Sequence, residues 1–336
     1  MILSRSPVRI TLGGGGTDLP SYYSKYGGFL IAGAIDKYLI VGANKQFYNT
    51  YSLKYSKIEI VDNIDKIKHS LLREALRLTK TEKRIEITSL ADVPAGTGLG
   101  SSGAFLTALL NTLYTFKGIE KTKRQLAEDA CKIELEILKE HEGKQDKYAC
   151  AFGGIRAYEF KKNGNVSVIS LTNGDIITSE LEDKLSIFFT GYTRSGTASD
   201  VLKKQDEKTK KNDEKVIEAL HRIKEIGYET KKALEEGNID NFGKMLNEHW
   251  NIKKSISSKP PNKFINDCYK YALKRGATGG KVMGASTDVG FFMLYHPGTA
   301  KEQWEFHSEM EKIGLYRMPF KFDKEGTITI FNGDEG

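Results

Sequence analysis

The chain has few cysteines and no long apolar run, and each shortage excludes a class of protein. Its three cysteines, Cys131, Cys150 and Cys268, lack the paired spacing of a disulfide framework or a metal site. We interpret them as reduced thiols of a cytoplasmic protein. No stretch approaches the roughly 20 apolar residues that cross a bilayer, and the N-terminus lacks the apolar core of a signal peptide. The sequence therefore predicts a protein without a membrane partner.

The chain also lacks the features of a nucleic-acid-binding or histidine-ligated metal protein. Its six histidines form no ligand-spaced set, and no recognition motif accompanies the net charge of +7. Much of the excess lysine lies in mixed-sign stretches such as 203–215, which are typical of a solvated helix face. We predict no nucleic-acid partner and interpret the basic surface as one that steers an anionic metabolite towards its site.

What the chain does contain indicates two globular domains. At 336 residues it is long enough for two of ordinary size. Strand-like and helix-like segments are intermixed without strict β-α-β alternation, which favours an α+β fold. The pattern restarts near residue 185, after a polar segment at 173–184. We therefore predict domains at 1–184 and 185–336.

The segment 94–104, P-A-G-T-G-L-G-S-S-G-A, is the most informative part of the chain. Its glycines leave backbone N–H groups open to an anion, and the helical pattern at 105–114 adds unpaired donors and a positive dipole end. This composition is typical of a phosphate site; a flexible turn with a serine N-cap is the alternative. The loop is not a Walker loop, because no lysine follows the last glycine, and its spacing differs from the dinucleotide fingerprint.

The loop resembles the second motif of the GHMP kinases, the superfamily of galactokinase, homoserine kinase and mevalonate kinase. The resemblance implies an N-terminal domain like the second domain of ribosomal protein S5, a C-terminal ferredoxin-like domain, and ATP between them. It also implies that ATP contacts Pro94, Gly96, Thr97, Gly98, Leu99, Gly100, Ser101 and Ser102.

The segment 6–18, S-P-V-R-I-T-L-G-G-G-G-T-D, is similar to the sugar-binding signature of galactokinase-like proteins. That similarity places Arg9 near the transferred phosphate as a catalytic residue, and Asp18 on sugar hydroxyls, which a carboxylate accepts well. Glycines replace the Glu-His pair of galactokinases, which disfavours galactose itself; a glycine-rich turn with a solvated aspartate is the alternative. The implied substrate contacts here are Gly15, Gly16, Thr17 and Asp18.

The segment 122–139 is predicted to be one amphipathic helix, with Glu134 late on it. Glu134 and Asp146, twelve positions later, resemble the family segment that supplies a Mg²⁺-binding glutamate and a catalytic aspartate. The resemblance implies Mg²⁺ ligands at Ser102 and Glu134, and a role for Asp146 in accepting or orienting the proton of the attacking hydroxyl. Glu136 is the alternative metal ligand, and ordinary solvated helix charges are the alternative interpretation.

The segment 279–292 resembles the third family motif in its first half, G-G-K-V-M-G-A, but Ser286 to Val289 stand where the family continues with glycines. We expect a stiffer turn, and a carboxylate at Asp288 is unfavourable near a triphosphate. Either Asp288 turns outward or activity is weakened. Three cations are candidates for an anionic group of the substrate, although each is also interpretable as a surface charge: Lys144, Arg194 and Lys281.

The opening L-G-G-G-G-T-D-L-P-S-Y-Y and the string G-K-Q-D-x-Y-A-x-A-F-G-G most resemble the D-glycero-D-manno-heptose 7-phosphate kinases. That resemblance implies ATP-dependent phosphorylation of the anomeric hydroxyl, which gives heptose 1,7-bisphosphate for nucleotide-activated heptose biosynthesis. Two alternatives stay open: a fucose-type sugar 1-kinase, and a catalytically silent sensor of ATP and sugar, which the altered third motif suits. A homodimer is also left open.

Overall fold

A computed structural model describes residues 1–193, 196–257 and 259–333. In these ranges the strands are Ile2–Gly13 (β1), Gly28–Lys45 (β2), Tyr51–Lys54 (β3), Ile58–Val61 (β4), Ile85–Ala91 (β5), Ile155–Phe160 (β6), Val166–Ser170 (β7), Leu185–Phe189 (β8), Gly279–Val282 (β9), Phe291–Tyr295 (β10), Tyr316–Arg317 (β11) and Ile328–Asn332 (β12). The helices are Pro20–Tyr26 (α1), Ser70–Leu78 (α2), Ser101–Phe116 (α3), Lys123–Cys131 (α4), Gln145–Phe152 (α5), Gly174–Lys184 (α6), Ala198–Lys210 (α7), Glu214–Glu235 (α8), Asp240–Ile256 (α9), Lys263–Lys274 (α10) and Ala300–Lys312 (α11). None of these helices is long and apolar enough to span a membrane.

The first sheet is built around the long strand β2. This strand pairs antiparallel with β1, while its first half also pairs with β6 and its second half with β5. The strand order is β12-β1-β2-β5-β3-β4, and β7 extends the sheet beyond β6. Helix α3 packs against β1 and β2, and its apolar side chains join theirs in the main core. Each fully buried leucine there contributes roughly 1.5–3 kcal/mol. That packing fixes the start of α3, and the phosphate loop before it, close to β1.

The second sheet has the order β11-β8-β10-β9, with every neighbouring pair antiparallel. Four helices connect β8 to β9, and α11 connects β10 to β11. This β-α-β-β-α-β arrangement is the ferredoxin-like one, and the predicted α+β fold class is confirmed. The aromatic core of this sheet includes Trp250 of α9, which is fully buried.

After the second sheet the chain returns to the first one and adds its last strand there. β12 pairs antiparallel with β1, with Ile2 opposite Asn332. The segment 185–336 therefore contributes one strand to the sheet of the segment 1–184. The division at residue 184 stays a prediction, and the polar segment before it forms the helix α6.

Candidate active site

Residues from both halves of the chain line a cavity of about 960 Å³. The first half contributes Arg9 of β1, the turn after β1, the phosphate loop and the start of α5. The second half contributes α7, α9 and the third motif around β9. The cavity therefore collects all three motif segments that the sequence singled out.

The glycines of the phosphate loop face this cavity, while the side chains between them are buried. Gly96, Gly98 and Gly100 have φ angles of 75°, 85° and 76°, a left-handed conformation that favours glycine, and all three line the cavity. Thr97 and Leu99 are almost fully buried and do not line it. The side chains of these two predicted ATP contacts therefore pack inside the protein, behind the cavity surface of the loop.

The helix α3 begins directly at the end of this loop. Ser101 and Ser102 form its first turn and line the cavity, so the unpaired N–H groups of that turn open towards a bound anion. Pro94 does not line the cavity. Its carbonyl oxygen accepts a hydrogen bond from the Thr97 hydroxyl at 2.8 Å. The proline therefore shapes the loop.

The third motif packs directly against the phosphate loop. A Cβ at Gly98 would lie 2.4 Å from the carbonyl oxygen of Met283, and one at Gly284 would lie 2.4 Å from the Cα of Gly98. Only glycine fits at these two contacts. Asp288 does not line the cavity, and its backbone carbonyl accepts a hydrogen bond from Asn262 at 2.9 Å. The acid that we expected to be unfavourable near a triphosphate therefore lies outside the cavity wall.

The two predicted catalytic residues form an ion pair beside the phosphate loop. Arg9 Nε and Nη2 donate to Asp146 Oδ1 at 2.7 and 2.6 Å. Arg9 Nη1 donates to the carbonyl oxygen of Gly98 at 2.7 Å. A Cβ on Gly100 would lie 3.1 Å from Asp146 Cγ and 3.2 Å from Arg9 Cγ. The missing side chain at Gly100 therefore lets the pair approach the loop.

Asp146 is held in its ionised form. Burial alone would raise its pKa, but the positive charges of Arg9 and Lys147 outweigh burial and lower the pKa from its ordinary value. A carboxylate with a low pKa is a weak proton acceptor near neutral pH. The geometry therefore favours orientation of an attacking hydroxyl over its full deprotonation before transfer.

Asp18 lines the cavity with a nearly buried carboxylate. The backbone N–H of Gln145 donates to Asp18 Oδ2 at 3.0 Å, and a Cβ on Gly143 would lie 1.8 Å from that oxygen. Burial raises the pKa of Asp18, and the N–H of Gln145 opposes this only in part. Gln145 Oε1 is buried with no hydrogen-bond partner in the described part of the chain. With Gly15 and Gly16 also lining the cavity, this corner offers acceptors for sugar hydroxyls.

Two predicted substrate contacts point away from the cavity. The Thr17 hydroxyl is fully buried; it donates to the carbonyl of Phe29 at 2.9 Å and accepts from the N–H of Phe29 at 3.1 Å. Lys144 Nζ donates to the carbonyl of Gly164 at 2.6 Å. Neither residue lines the cavity. In this structure both side chains hold loops in place, and their contact with a substrate stays a prediction.

Comparison with known proteins identifies the family. The profile of the GHMP kinases N terminal domain matches residues 67–154, and that of the GHMP kinases C terminal matches residues 230–310. The D-glycero-alpha-D-manno-heptose 7-phosphate kinase of Campylobacter jejuni is 31% identical over 97% of this chain and 97% of its own length. The chain belongs to the GHMP kinases.

Two further relatives place this GHMP kinase among sugar-kinase-like chains. The crystal structure of a D-glycero-D-manno-heptose 1-phosphate kinase from Bacteroides thetaiotaomicron has a TM-score of 0.79 and 26% identity, and covers 99% of both chains. The L-fucokinase/L-fucose-1-P guanylyltransferase of Bacteroides fragilis is 25% identical over 78% of this chain and 31% of that protein. The predicted family is therefore confirmed.

In this GHMP kinase the proposed metal ligand Glu134 lies in a π-helical turn, Lys132–Ile137, that follows α4. The helix predicted over 122–139 is therefore present, but it changes from α-helical to π-helical after Cys131. Such turns are rare and frequently occur at functional sites. Fully buried Lys147 forms an ion pair with Glu134. Burial would lower the pKa of Lys147, but Glu134 and neighbouring acids outweigh burial and raise it.

The donor set fits a magnesium ion only if phosphates share it. Ser102, Glu134 and Asp146 all line the cavity, whereas the alternative ligand Glu136 is exposed and does not. Among the described residues no cluster of three His, Cys, Asp or Glu side chains is arranged to hold a metal. Mg²⁺ commonly binds through one or two carboxylates together with substrate phosphates and water. The residues present suit that arrangement.

A group of apolar and aromatic cavity residues was missed by sequence reasoning. His69 stands between two rings, with its centroid 4.8 Å from that of Tyr55 and 5.3 Å from that of Phe105. Burial lowers the pKa of His69, which keeps the imidazole neutral. The apolar members of this group are Leu39, Leu71, Ala91 and Val93, and Ser89 lines the same cavity. They come from separate segments, so no local sequence signal marks them.

Of the two predicted cations that the structure describes, Lys144 and Lys281, only Lys281 lies in the cavity wall, where it is almost fully buried. Arg194 lies outside the described residues. The helix α7 adds two cations that the sequence did not single out, Lys204 and Lys208, which line the cavity from an exposed position.

Proposed function

We propose that the protein is an ATP-dependent sugar phosphate kinase that acts on D-glycero-D-manno-heptose 7-phosphate and yields heptose 1,7-bisphosphate. The observation that carries this proposal is the Arg9–Asp146 pair, which stands between the glycine loop and the acceptor-rich corner at Asp18. The 31% identity with a heptose 7-phosphate kinase supports the choice of sugar. The cytoplasmic location and the homodimer stay predictions.

In the proposed reaction the anomeric hydroxyl oxygen attacks the γ-phosphorus, and the bond from that phosphorus to the β–γ bridging oxygen breaks. Asp146 orients the hydroxyl and receives or passes on its proton, and Arg9 neutralises charge on the transferred group. The loop N–H groups hold the polyphosphate. Mg²⁺, when bound through Ser102 and Glu134, would neutralise phosphate charge. The apolar group around His69 is the proposed place of the adenine.

A substrate that carries its own phosphate suits the charge of the cavity. Lys204 and Lys208 lie on α7, where Gln205 Nε2 donates to the carbonyl of Gly16 at 3.4 Å. These lysines therefore stand over the sugar corner, on a different element from Arg9 and Asp146. We propose that they contact the 7-phosphate. A sugar without a phosphate, such as fucose, would leave these two lysines without a partner. We therefore rank the fucose-type kinase second.

The test is ADP release from Mg-ATP with heptose 7-phosphate, fucose and galactose as separate acceptors. We expect turnover with heptose 7-phosphate and at least tenfold lower kcat/KM with fucose. Of the two heptose kinases named above, one is called a 7-phosphate kinase and the other a 1-phosphate kinase. The position of the new phosphate is therefore part of the test. Phosphorus NMR of the product should show the new phosphate on the anomeric oxygen. Silence with all three sugars would contradict the proposal.

A further inference from the structure

A cluster of basic side chains lies next to Arg9 in the cavity wall. Lys281, His249 and Lys253 all line the cavity. Lys281 Nζ lies 3.1 Å from His249 Nδ1, and these two side chains are almost fully buried. Within the described ranges, neither lysine forms an ion pair with an acid. The cluster therefore places two amines and an imidazole in the cavity wall without a protein counter-charge.

Lys253 holds the third-motif loop in place. Its Nζ donates to the carbonyl oxygens of Val282, Gly284 and Ser286 at 2.9, 2.6 and 2.8 Å. A lysine ammonium has three hydrogen-bond donors, and this geometry uses all of them. Lys253 is thus a positioning residue, which leaves Lys281 as the lysine whose donors are available to a ligand.

The electrostatics of the cluster are those of an anion site. Burial, then the charges of Lys253 and Arg9, lower the pKa of Lys281 well below its ordinary value. Burial and the two lysines likewise lower the pKa of His249. Burial and Arg9 lower the pKa of Lys253 to about 7. Burial without a partner disfavours the charged forms of these groups, and an arriving anion would favour them.

The position of the cluster indicates which anion. Arg9 bonds to the carbonyl of Gly98, and Gly284 of the clamped loop touches the Cα of the same glycine. The cluster therefore adjoins the end of the phosphate loop that also meets Asp146. We propose that Lys281, backed by His249 and Lys253, binds a terminal phosphate group at this point and that binding takes up a proton. This inference rests on the proposed function only in that ATP or the sugar phosphate supplies the phosphate.

The proton goes to Lys281 Nζ. Of the titratable or charged groups around it, Arg9 is already protonated, and the lowered pKa of Asp146 disfavours protonation of its carboxylate. His249 and Lys253 face it from α9: His249 accepts a hydrogen bond from it, and Lys253, with a pKa of about 7, takes up part of a further proton at its carbonyl-bound Nζ. From α10, the Tyr269 hydroxyl donates to Asn247. A bound dianion would restore the charged form of Lys281.

The experiment is calorimetric titration of the full chain at about pH 8, where phosphate groups with a second pKa of about 6 are already dianionic. Titrations with Mg-ATP, Mg-ADP and heptose 7-phosphate, each in two buffers of different ionisation enthalpy, give the protons taken up. We expect uptake of about one proton. Proton uptake with ATP but not with ADP identifies the γ-phosphate as the group that Lys281 binds. Proton uptake with heptose 7-phosphate alone identifies the phosphate of the sugar. Binding of all three ligands without uptake overturns the proposal.

Variants separate a binding role from a structural one. Lys281→Met should lower the uptake by the share of Lys281 and weaken binding at least tenfold, while the unliganded protein keeps or raises its melting temperature because no ion pair is broken. Lys281→Arg should bind with correspondingly less uptake, since guanidinium is always charged. Lys301→Met, at an exposed lysine of α11, is the matched control and should behave as wild type. A Lys281→Met protein with wild-type uptake, or with a markedly lower melting temperature, overturns the proposal.

These titrations need no sugar turnover. If the protein takes up a proton on binding ATP but phosphorylates no sugar, the proposed anion site is supported and the proposed sugar substrate is contradicted. If it turns over a sugar phosphate without proton uptake on binding any ligand, the proposed kinase function is supported and the anion site is contradicted.

Discussion

On the cavity wall formed by the first half of the chain, Asp146 is paired with Arg9 and Glu134 with Lys147. On the wall formed by the second half, Lys281 and Lys253 have no acidic partner in the described ranges. The charges of these two pairs are neutralised within the first wall before any ligand arrives. The second wall holds amines whose charged forms burial disfavours and a bound phosphate would favour. We therefore infer that the fold alone stabilises the charges of the first wall, whereas a bound ligand stabilises those of the second.

The largest effect should come from breaking the paired wall at its catalytic member. Asp146→Asn removes the carboxylate that orients the hydroxyl, so kcat should fall about 10²–10⁴-fold while ATP still binds. Steady-state kinetics and calorimetry measure the two quantities. Asp288→Asn, at the acid outside the cavity wall, is the control and should leave kcat nearly unchanged. A silent sensor would show no turnover to lose.

The second prediction concerns Lys147, the cation of the Glu134–Lys147 pair. Lys147→Met leaves Glu134 buried and uncompensated, which should lower the free energy of unfolding by about 3–5 kcal/mol. Urea denaturation measures this. The double change Lys147→Met with Glu134→Leu should recover much of the loss, because no buried charge then remains. If the double variant is as unstable as the single one, the pair is not the source of the effect.

The contact between the walls can be tested at Gly98. Gly98→Ala places a Cβ 2.4 Å from the carbonyl of Met283 at a φ of +85°, so ATP affinity should fall at least tenfold. Gly118→Ala is the matched control: its φ is +67°, but a Cβ there meets nothing within 4 Å. Gly118→Ala should lower the free energy of unfolding by about 1–2 kcal/mol, because alanine is strained in a left-handed backbone conformation. It should leave ATP binding unchanged. Equal effects on ATP binding would contradict the close packing.

The smallest effect is a pH dependence of stability from the unpaired wall. The folded-state pKa of Lys253 is about 7, below the value of about 10.4 in an unfolded chain. Between these values the unfolded chain binds more protons, so Lys253 makes stability rise with pH. Urea denaturation at about pH 7 and 9 should show a steeper rise for wild type than for Lys253→Met. Parallel curves would exclude this contribution.

Local motifs made much of this site predictable. The positive-φ glycines at Gly96, Gly98 and Gly100 follow from the loop sequence itself, and the family resemblance placed Arg9 and Asp146 together although 137 positions separate them. The direction of a side chain was harder to foresee. Thr17 and Lys144 belong to the right segments but point into loops, because neighbouring backbone carbonyls offer them hydrogen bonds.

The unpredicted parts depend on tertiary packing. The group around His69 assembles only when strands β2, β5 and β3 lie side by side, an order that no periodicity reveals. The Glu134–Lys147 pair likewise joins a π-turn to α5, and a regular helix would have directed the glutamate elsewhere. The third motif, expected to carry an unfavourable acid, keeps Asp288 out of the cavity lining, and Asn262 binds its backbone carbonyl.

The return of β12 to the outer side of β1 has a consequence for how the chain matures. The edge of β1 has no covering strand until residues 328–332 have been synthesised, long after the other strands of that sheet. A piece ending near residue 184 would keep this bare edge, which is a template for pairing with another copy. We therefore expect the separated first half to self-associate, and the intact chain to depend on its final strand for remaining dispersed.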